Sequence, residues 1–194
     1  LSENGALEVW GLDISKELIK RAHDNFKDID VESHFFCSPM EENPGIPVGY
    51  FDYVFCIYSI GYTTDLQKTI NNISKYLKED GLFIMSWTHP IFQCLELEKG
   101  QVIMKRDYCK EDFYQVLKGE SCERTMLKNY KISSYINELV KSGLTIDYIF
   151  EERIDQAINS SWKSPYFDNQ KLEVSPSTLI IKAHKRGYIN DINE

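Results

Sequence analysis

The 194-residue chain sets 22 Lys and Arg against 30 Asp and Glu, a formal net charge of −8. That acidic balance argues against nucleic acid as its main partner, because phosphate binding needs a basic surface. No apolar run reaches the ~18 residues that cross a bilayer, and no basic-then-apolar signal segment is found, so the expectation is a cytoplasmic protein with no membrane role.

Residues 7–12 (LEVWGL) form a short apolar run that ends at Asp13 and reads as a strand. Ser15 is placed to cap the helix that follows, in which Leu18, Ala22 and Phe26 recur every four residues. Residues 31–37 read as a second strand. A loop follows, SPMEENPGIPVG, punctuated by three prolines and two glycines. Residues 53–58 (YVFCIY) are continuously apolar, the pattern of a strand buried on both faces of a parallel sheet.

The clearest helix comes next. Leu66, Ile70, Ile73 and Leu77 hold one face, and the KEDG of residues 78–81 ends it. Residues 82–87 read as another buried strand. The stretch 92–130 mixes charges with aromatics without a sustained period, and reads as an inserted segment of lid type. Ser133 or Ser134 is placed to cap a helix carrying Ile136, Leu139 and Val140, stopped by Gly143. Residues 144–150 and 178–184 are the last strands, and residues 187–194 are a polar tail.

The alternation of strands and helices predicts an α/β fold, with helices on both faces of a mostly parallel sheet and a final antiparallel strand. The expected organisation is a single domain over residues 1–186, with 92–130 inserted in it. Five scattered cysteines (Cys37, Cys56, Cys94, Cys109, Cys122) and four histidines show no C-x-x-C and no zinc-ligand spacing. Neither a disulfide framework nor a structural metal is expected.

In such sheets ligands bind beyond the carboxyl ends of the strands. Three strand ends carry candidates. Asp13, followed at once by a helix cap, is placed to accept hydrogen bonds from both ribose hydroxyls of a nucleoside, with Ile14 beside it to pack on the purine. The same carboxylate could instead serve only the helix start. After Cys37, Ser38 could bond an adenine edge, with Pro39 and Met40 bordering the ring, or the loop is an ordinary proline-rich connection. The passage CIYSIGY, residues 56–62, offers backbone at Cys56 and Ile57 and a small Gly61 for close approach of a ligand.

Order and spacing carry more than any one of these. The passages EVWGLDIS (8–15), FDYVFCIYSI (51–60), LKEDGLFIMSW (77–87), HPIF (89–92) and SSYINELVKSGLTI (133–146) resemble, in this order, the class I S-adenosylmethionine-dependent methyltransferases of the bacterial small-molecule type. The resemblance runs from about residue 6 to residue 186 and implies a Rossmann-like, doubly wound sheet. It implies that Asp13 holds the cofactor's ribose and Ile14 touches adenine. Met40 would flank the other side of the ring, with Cys56 and the next residues at the methionine end. Ser38 stands where the family usually has an acid.

The family's first strand and glycine-rich loop find no counterpart, and no G-x-G occurs. In the family that strand lies mid-sheet, and without it two strand edges would be left unpaired. The expectation is that this sequence is the downstream part of a longer one, by about 50 residues at the family's proportions. The alternative is that this form is complete and does not bind cofactor in the usual way.

Methyl transfer from a sulfonium needs positioning and exclusion of water, and a base only if the acceptor must lose a proton. His89 is the candidate base or acceptor contact, unless His89-Pro90 only shapes a turn. Tyr58 and Tyr62 are candidates to line a pocket for a small-molecule acceptor, or belong to the core. Tyr108, Phe113 and Tyr114 suggest an apolar or aromatic acceptor, or else pack the inserted segment down. Two rivals stand beside this reading. One is a non-catalytic interaction protein on the same scaffold. The other is a nicotinamide-dependent oxidoreductase, whose Tyr-x-x-x-Lys pair is matched only by Tyr114 and Lys118, within the insertion.

Overall fold

The computed structural model describes residues 5–118, 123–153 and 169–187. Residues 1–4, Cys122, most of the connection 151–177 and most of the polar tail lie outside them. The chain forms two compact units, residues 1–47 and residues 48–194.

In the first unit β1 (Glu8–Asp13) and β2 (Glu32–Cys37) pair in parallel, joined by α1 (Lys16–Phe26). The Ser15 hydroxyl accepts from the Leu18 N–H at 3.3 Å and so caps α1, as the sequence predicts. The contacts of this unit converge on Phe35. His23 and Phe26 present their rings edge-on to it, with centroids 5.0 and 5.3 Å away. Gly11 lies under the same ring, where a Cβ would come within 2.7 Å of Cδ1.

The second unit is built on a four-stranded sheet in the order β3-β4-β10-β9. Its strands are β3 (Phe51–Ile57), β4 (Leu77–Thr88), β9 (Leu144–Glu152) and β10 (Thr178–Lys185). β3 is parallel to β4, and β10 is antiparallel to both β4 and β9. Three strands therefore run one way and only β10 is reversed, the predicted final antiparallel strand. The helices are α2 (Leu66–Tyr76), α3 (Pro90–Cys94), α4 (Ile132–Lys141) and α5 (Asn169–Val174). Leu66, Ile70 and Ile73 of α2 pack with Phe83, Met85, Tyr135, Leu139, Leu179 and Ile181 in one core.

Four expectations change. First, α2 stops at Tyr76 and Leu77 already pairs with Phe51, so the KEDG segment is an irregularity inside β4, with Asp80 at φ +61. Second, β3 is not buried on both faces: Cys56 is buried, while Tyr53, Phe55 and Ile57 are exposed. Tyr53, Phe55 and Ile57 alternate along the strand and so share one face of the sheet, and that face is the exposed one. Third, neither Ser133 nor Ser134 caps α4. The helix starts at Ile132, two residues before a Ser133 cap would place it: the Ile132 N–H donates to the Tyr108 hydroxyl at 3.2 Å, and the Glu111 carboxylate steadies the start from outside, accepting from the Lys131 N–H at 2.8 Å and from the Ser134 hydroxyl. Fourth, the aperiodic stretch contains two hairpins, β5 (Leu95–Glu98) with β6 (Gln101–Met104) and β7 (Phe113–Lys118) with β8 (Glu123–Lys128). Short strands of mixed charge and aromatic content carry no clean period of two, which is why the sequence pattern hid them.

Candidate functional site

In the first unit the register pairs Asp13 with Cys37, which brings the carboxyl ends of β1 and β2 level. Asp13, Ile14 and the 38–40 loop therefore meet at one edge. The Ser38 N–H donates to the Asp13 carbonyl at 3.1 Å, and the Cys37 thiol donates to the Ile14 carbonyl at 3.5 Å. The Asp13 side chain accepts from the Ser15 N–H at 2.8 Å through Oδ1. Among the described residues Oδ2 has no partner, so the helix-start role and a ligand role can coexist. Ile14 is 72% exposed, an apolar side chain held in solvent beside a carboxylate. Ser38, Pro39 and Met40 are half-buried across from it. These residues fit the nucleoside half of a cofactor: an acceptor for hydroxyls, an apolar face for a ring, and a hydroxyl at the ring's edge.

In the second unit, β3 ends at Ile57 and the chain turns through Tyr58, which takes φ +48, a left-handed conformation that is uncommon for a bulky residue. Two bonds hold it there: its N–H donates to the Ser86 carbonyl at 2.9 Å, and its hydroxyl lies 2.9 Å from Thr178 Oγ1. A single 3-10 turn, Ile60–Tyr62, follows. Tyr62 meets Trp87 edge-on at 5.5 Å, and Tyr58 is tilted against the same indole at 6.3 Å. Trp87 is buried, and among the described residues its Nε1 finds no hydrogen-bond acceptor. The sequence reading passed over Trp87 as the last residue of a core strand. Its signal is position, since it is the last residue but one of β4, level with the turn after β3. Cys56 is buried 2.9 Å from the Ser59 hydroxyl, and burial pushes its thiol from 9.0 up to about 11. It is therefore a neutral, unreactive group at neutral pH. Ile57 is exposed.

His89 is buried, with both ring nitrogens engaged. Nδ1 accepts from the Ile91 N–H at 3.2 Å, making His89 the cap of α3, and Nε2 lies 2.8 Å from Glu151 Oε1. With Nδ1 accepting, Nε2 carries the proton and donates to the carboxylate. In this arrangement the imidazole fixes the β4–α3 turn to β9 and presents no free nitrogen. Glu151, which the sequence reading did not single out, is the other half of that strut.

The connection between the two hairpins, with Tyr114 and Asn129, lines an open pocket of about 270 Å³ formed by Arg106, Asp107, Lys110, Asp112, Tyr114 and Asn129. The Tyr114 hydroxyl donates to Gln93 Oε1 at 2.8 Å, and the Arg106 guanidinium lies 4.5 Å over its ring. Burial pushes the Tyr114 phenol up to about 12, against the pull of Arg106. The cavity wall is more charged than the aromatic content of the segment suggests. Tyr114 and Lys118 both lie on β7. Four positions apart on an extended strand they are about 13 Å apart along the backbone, which removes them as the acid–base pair of an oxidoreductase.

Residues 1–85 match the family described as "Methyltransferase domain". Over 78 residues the chain is 28% identical to the "Uncharacterized methyltransferase YcgJ" of Bacillus subtilis (strain 168), a stretch that spans 40% of this chain and 31% of that relative. The fold is similar to an S-adenosylmethionine-dependent methyltransferase from Mesorhizobium loti, with TM-score 0.72 at 20% identity, covering 94% of this chain and 82% of that one. It is also similar to a SAM-dependent methyltransferase from Methanosarcina mazei, with TM-score 0.69 at 13% identity, covering 95% and 84%.

Proposed function

We propose that the chain is a class I S-adenosylmethionine-dependent methyltransferase that moves a methyl group to a small-molecule acceptor by direct displacement, in the cytoplasm, a reading supported by the family match over residues 1–85 and by the similar folds. S-adenosylmethionine supplies the activated methyl, on a sulfonium. The observation that carries the reading is the meeting of Asp13, Ile14 and the 38–40 loop at the level carboxyl ends of two parallel strands. In this reading the unpaired Asp13 oxygen takes the ribose hydroxyls. Ile14 and Met40 border adenine, and Ser38 bonds its edge.

In the second unit Tyr58, Tyr62 and Trp87 are proposed to bear on the acceptor, and the cavity within residues 92–130 to receive it. That segment covers the acceptor and keeps water out. His89 acts here as a positioning residue, because both of its nitrogens are already spent. Among the described residues no helix is long and apolar enough to cross a membrane, which is compatible with an acceptor taken from solution.

The test is to incubate the protein with S-adenosylmethionine and a panel of small acceptors carrying amine, thiol, hydroxyl or carboxylate groups, and to follow S-adenosylhomocysteine by mass spectrometry. Acceptor-dependent product formation supports the reading. Turnover only with a protein or nucleic-acid acceptor would overturn the small-molecule part of it.

A further inference from the structure

Asn129 lines the open pocket beside the hairpins, although the residue is only 4% exposed. Its amide is oriented by Cys94. The Cys94 thiol donates to the Pro90 carbonyl at 3.3 Å, so the sulfur is left to accept, and Asn129 Nδ2 donates to it at 3.1 Å. Oδ1 is therefore the other end of the amide. It is buried, and among the described residues it has no hydrogen-bond partner. A buried carbonyl oxygen without a donor costs free energy, which a ligand N–H seated against it would remove.

The other lining groups say what kind of donor. Arg106 is already committed: its guanidinium donates to the Gln93 carbonyl and pairs with Glu96 at 3.3 Å. The Tyr114 hydroxyl gives its proton to Gln93 and so presents only lone pairs. At the exposed mouth, Asp107 accepts from the Cys109 N–H through one oxygen, and Asp112 makes no ion pair among the described residues. Lys110 is the remaining cation of the lining. The uncommitted groups are thus acceptor oxygens on the inner wall and, at the mouth, two carboxylates against one ammonium. We propose that this pocket binds the methyl acceptor through a protonated primary amine, received by Asn129 Oδ1 and attracted by the Asp107 and Asp112 carboxylates; the inference rests on the reading that residues 92–130 receive the acceptor. A carboxylate ligand would bring no donor for Asn129 and would meet two like charges, and an alcohol would gain nothing from the mouth. A volume of about 270 Å³ suits a small amine. The Tyr62 phenol adds to the upward push on the Tyr114 phenol, which ties the pocket to the aromatic group at the ends of β3 and β4.

The experiment measures binding of three probes of similar shape, phenethylamine, phenethyl alcohol and phenylacetate, by ligand-observed NMR titration of the whole protein. Phenethylamine is expected to bind at least about tenfold more tightly than phenylacetate, with phenethyl alcohol between them. Asn129→Leu should weaken phenethylamine at least about tenfold and leave phenylacetate unchanged, a selectivity that a merely structural role of Asn129 would not produce. Asp112→Lys, at an exposed position, should narrow the preference for amine over anion about fivefold. It carries the test if circular dichroism shows Asn129→Leu to be unfolded. Equal affinity for the three probes, tighter binding of phenylacetate, or an equal loss of all three in folded Asn129→Leu would overturn the proposal. Titration with S-adenosylhomocysteine tells this failure from that of the methyltransferase reading. Amine selectivity without S-adenosylhomocysteine binding leaves the amine pocket standing and removes the transfer, whereas S-adenosylhomocysteine binding without amine selectivity does the reverse.

Discussion

Gly61 lies so close to Trp87 that a Cβ on it would stand 2.0 Å from Cζ2 and 2.6 Å from Nε1 of the indole. This contact seats the turn after β3 directly on the end of β4. It brings Tyr62 edge-on to the indole and sets Tyr58 beside it. The aromatic group at these strand ends therefore exists because residue 61 has no side chain.

Gly61→Ala should force the indole or the turn to move, since the clash is with a rigid ring in a packed core. The expected loss is about 1–3 kcal/mol, the usual cost of overpacking. Urea unfolding followed by Trp fluorescence reads it. An unchanged midpoint would mean that the turn is not seated on Trp87.

Asp13 makes one internal bond, to the Ser15 N–H, and has a second oxygen to spare. Asp13→Ala should weaken S-adenosylhomocysteine binding by about 1–3 kcal/mol, the scale of lost charge-assisted hydrogen bonds. Ser15→Ala removes only the cap of α1 and should cost about 1 kcal/mol of stability with little effect on affinity. Calorimetric titration of both variants separates the two roles. Equal affinity in wild type and Asp13→Ala would take Asp13 out of the site.

His89→Ala removes the acceptor for the Ile91 N–H and the link to Glu151 together, for an expected loss of about 1–3 kcal/mol. His89→Asn should recover part of it, because Asn is a good helix cap. Thermal unfolding of the pair decides. If His89→Ala is as stable as wild type, the imidazole is not the strut that the geometry indicates, and its role as a base returns.

The buried Cys56 thiol and Tyr114 phenol bear on alkaline stability. Both are raised, Cys56 from 9.0 to about 11 and Tyr114 from 10.0 to about 12, chiefly by burial. Their contribution is fully present below the unfolded values. As pH rises, the unfolded chain releases protons that the folded chain still holds, so stability falls between about pH 9 and 12. Denaturant midpoints measured across that window should decline. The same burial protects Cys56 from alkylation, so iodoacetamide should modify the exposed Cys37 and Cys109 well before Cys56 and Cys94. Early labelling of Cys56 would contradict the buried placement.

Much of this architecture is legible in the sequence, and the parts that are not have physical causes. Leu66, Ile70 and Ile73 announce α2 because one buried face enforces a helical period. The apolar run 82–87 announces the second half of β4, and Thr178 to His184 the reversed strand. The exposure of Tyr53, Phe55 and Ile57 is not legible, because a continuous apolar run states what a strand can bury and not what lies against it. The start of α4 is hidden for a different reason. Tyr108 and Glu111 reach it from about twenty residues upstream, tertiary contacts that no local pattern encodes. At the site, Asp13 and Ile14 stand out at the end of a strand, whereas Trp87 and Glu151 acquire meaning only once β4 and β9 are placed.

The most direct measurement is isothermal titration of the purified protein with S-adenosylhomocysteine. One site with micromolar affinity, weakened in Asp13→Ala, is the expected result. No heat of binding at millimolar ligand, from protein shown to be folded by circular dichroism, would contradict the claim that the strand ends around Asp13 hold this cofactor.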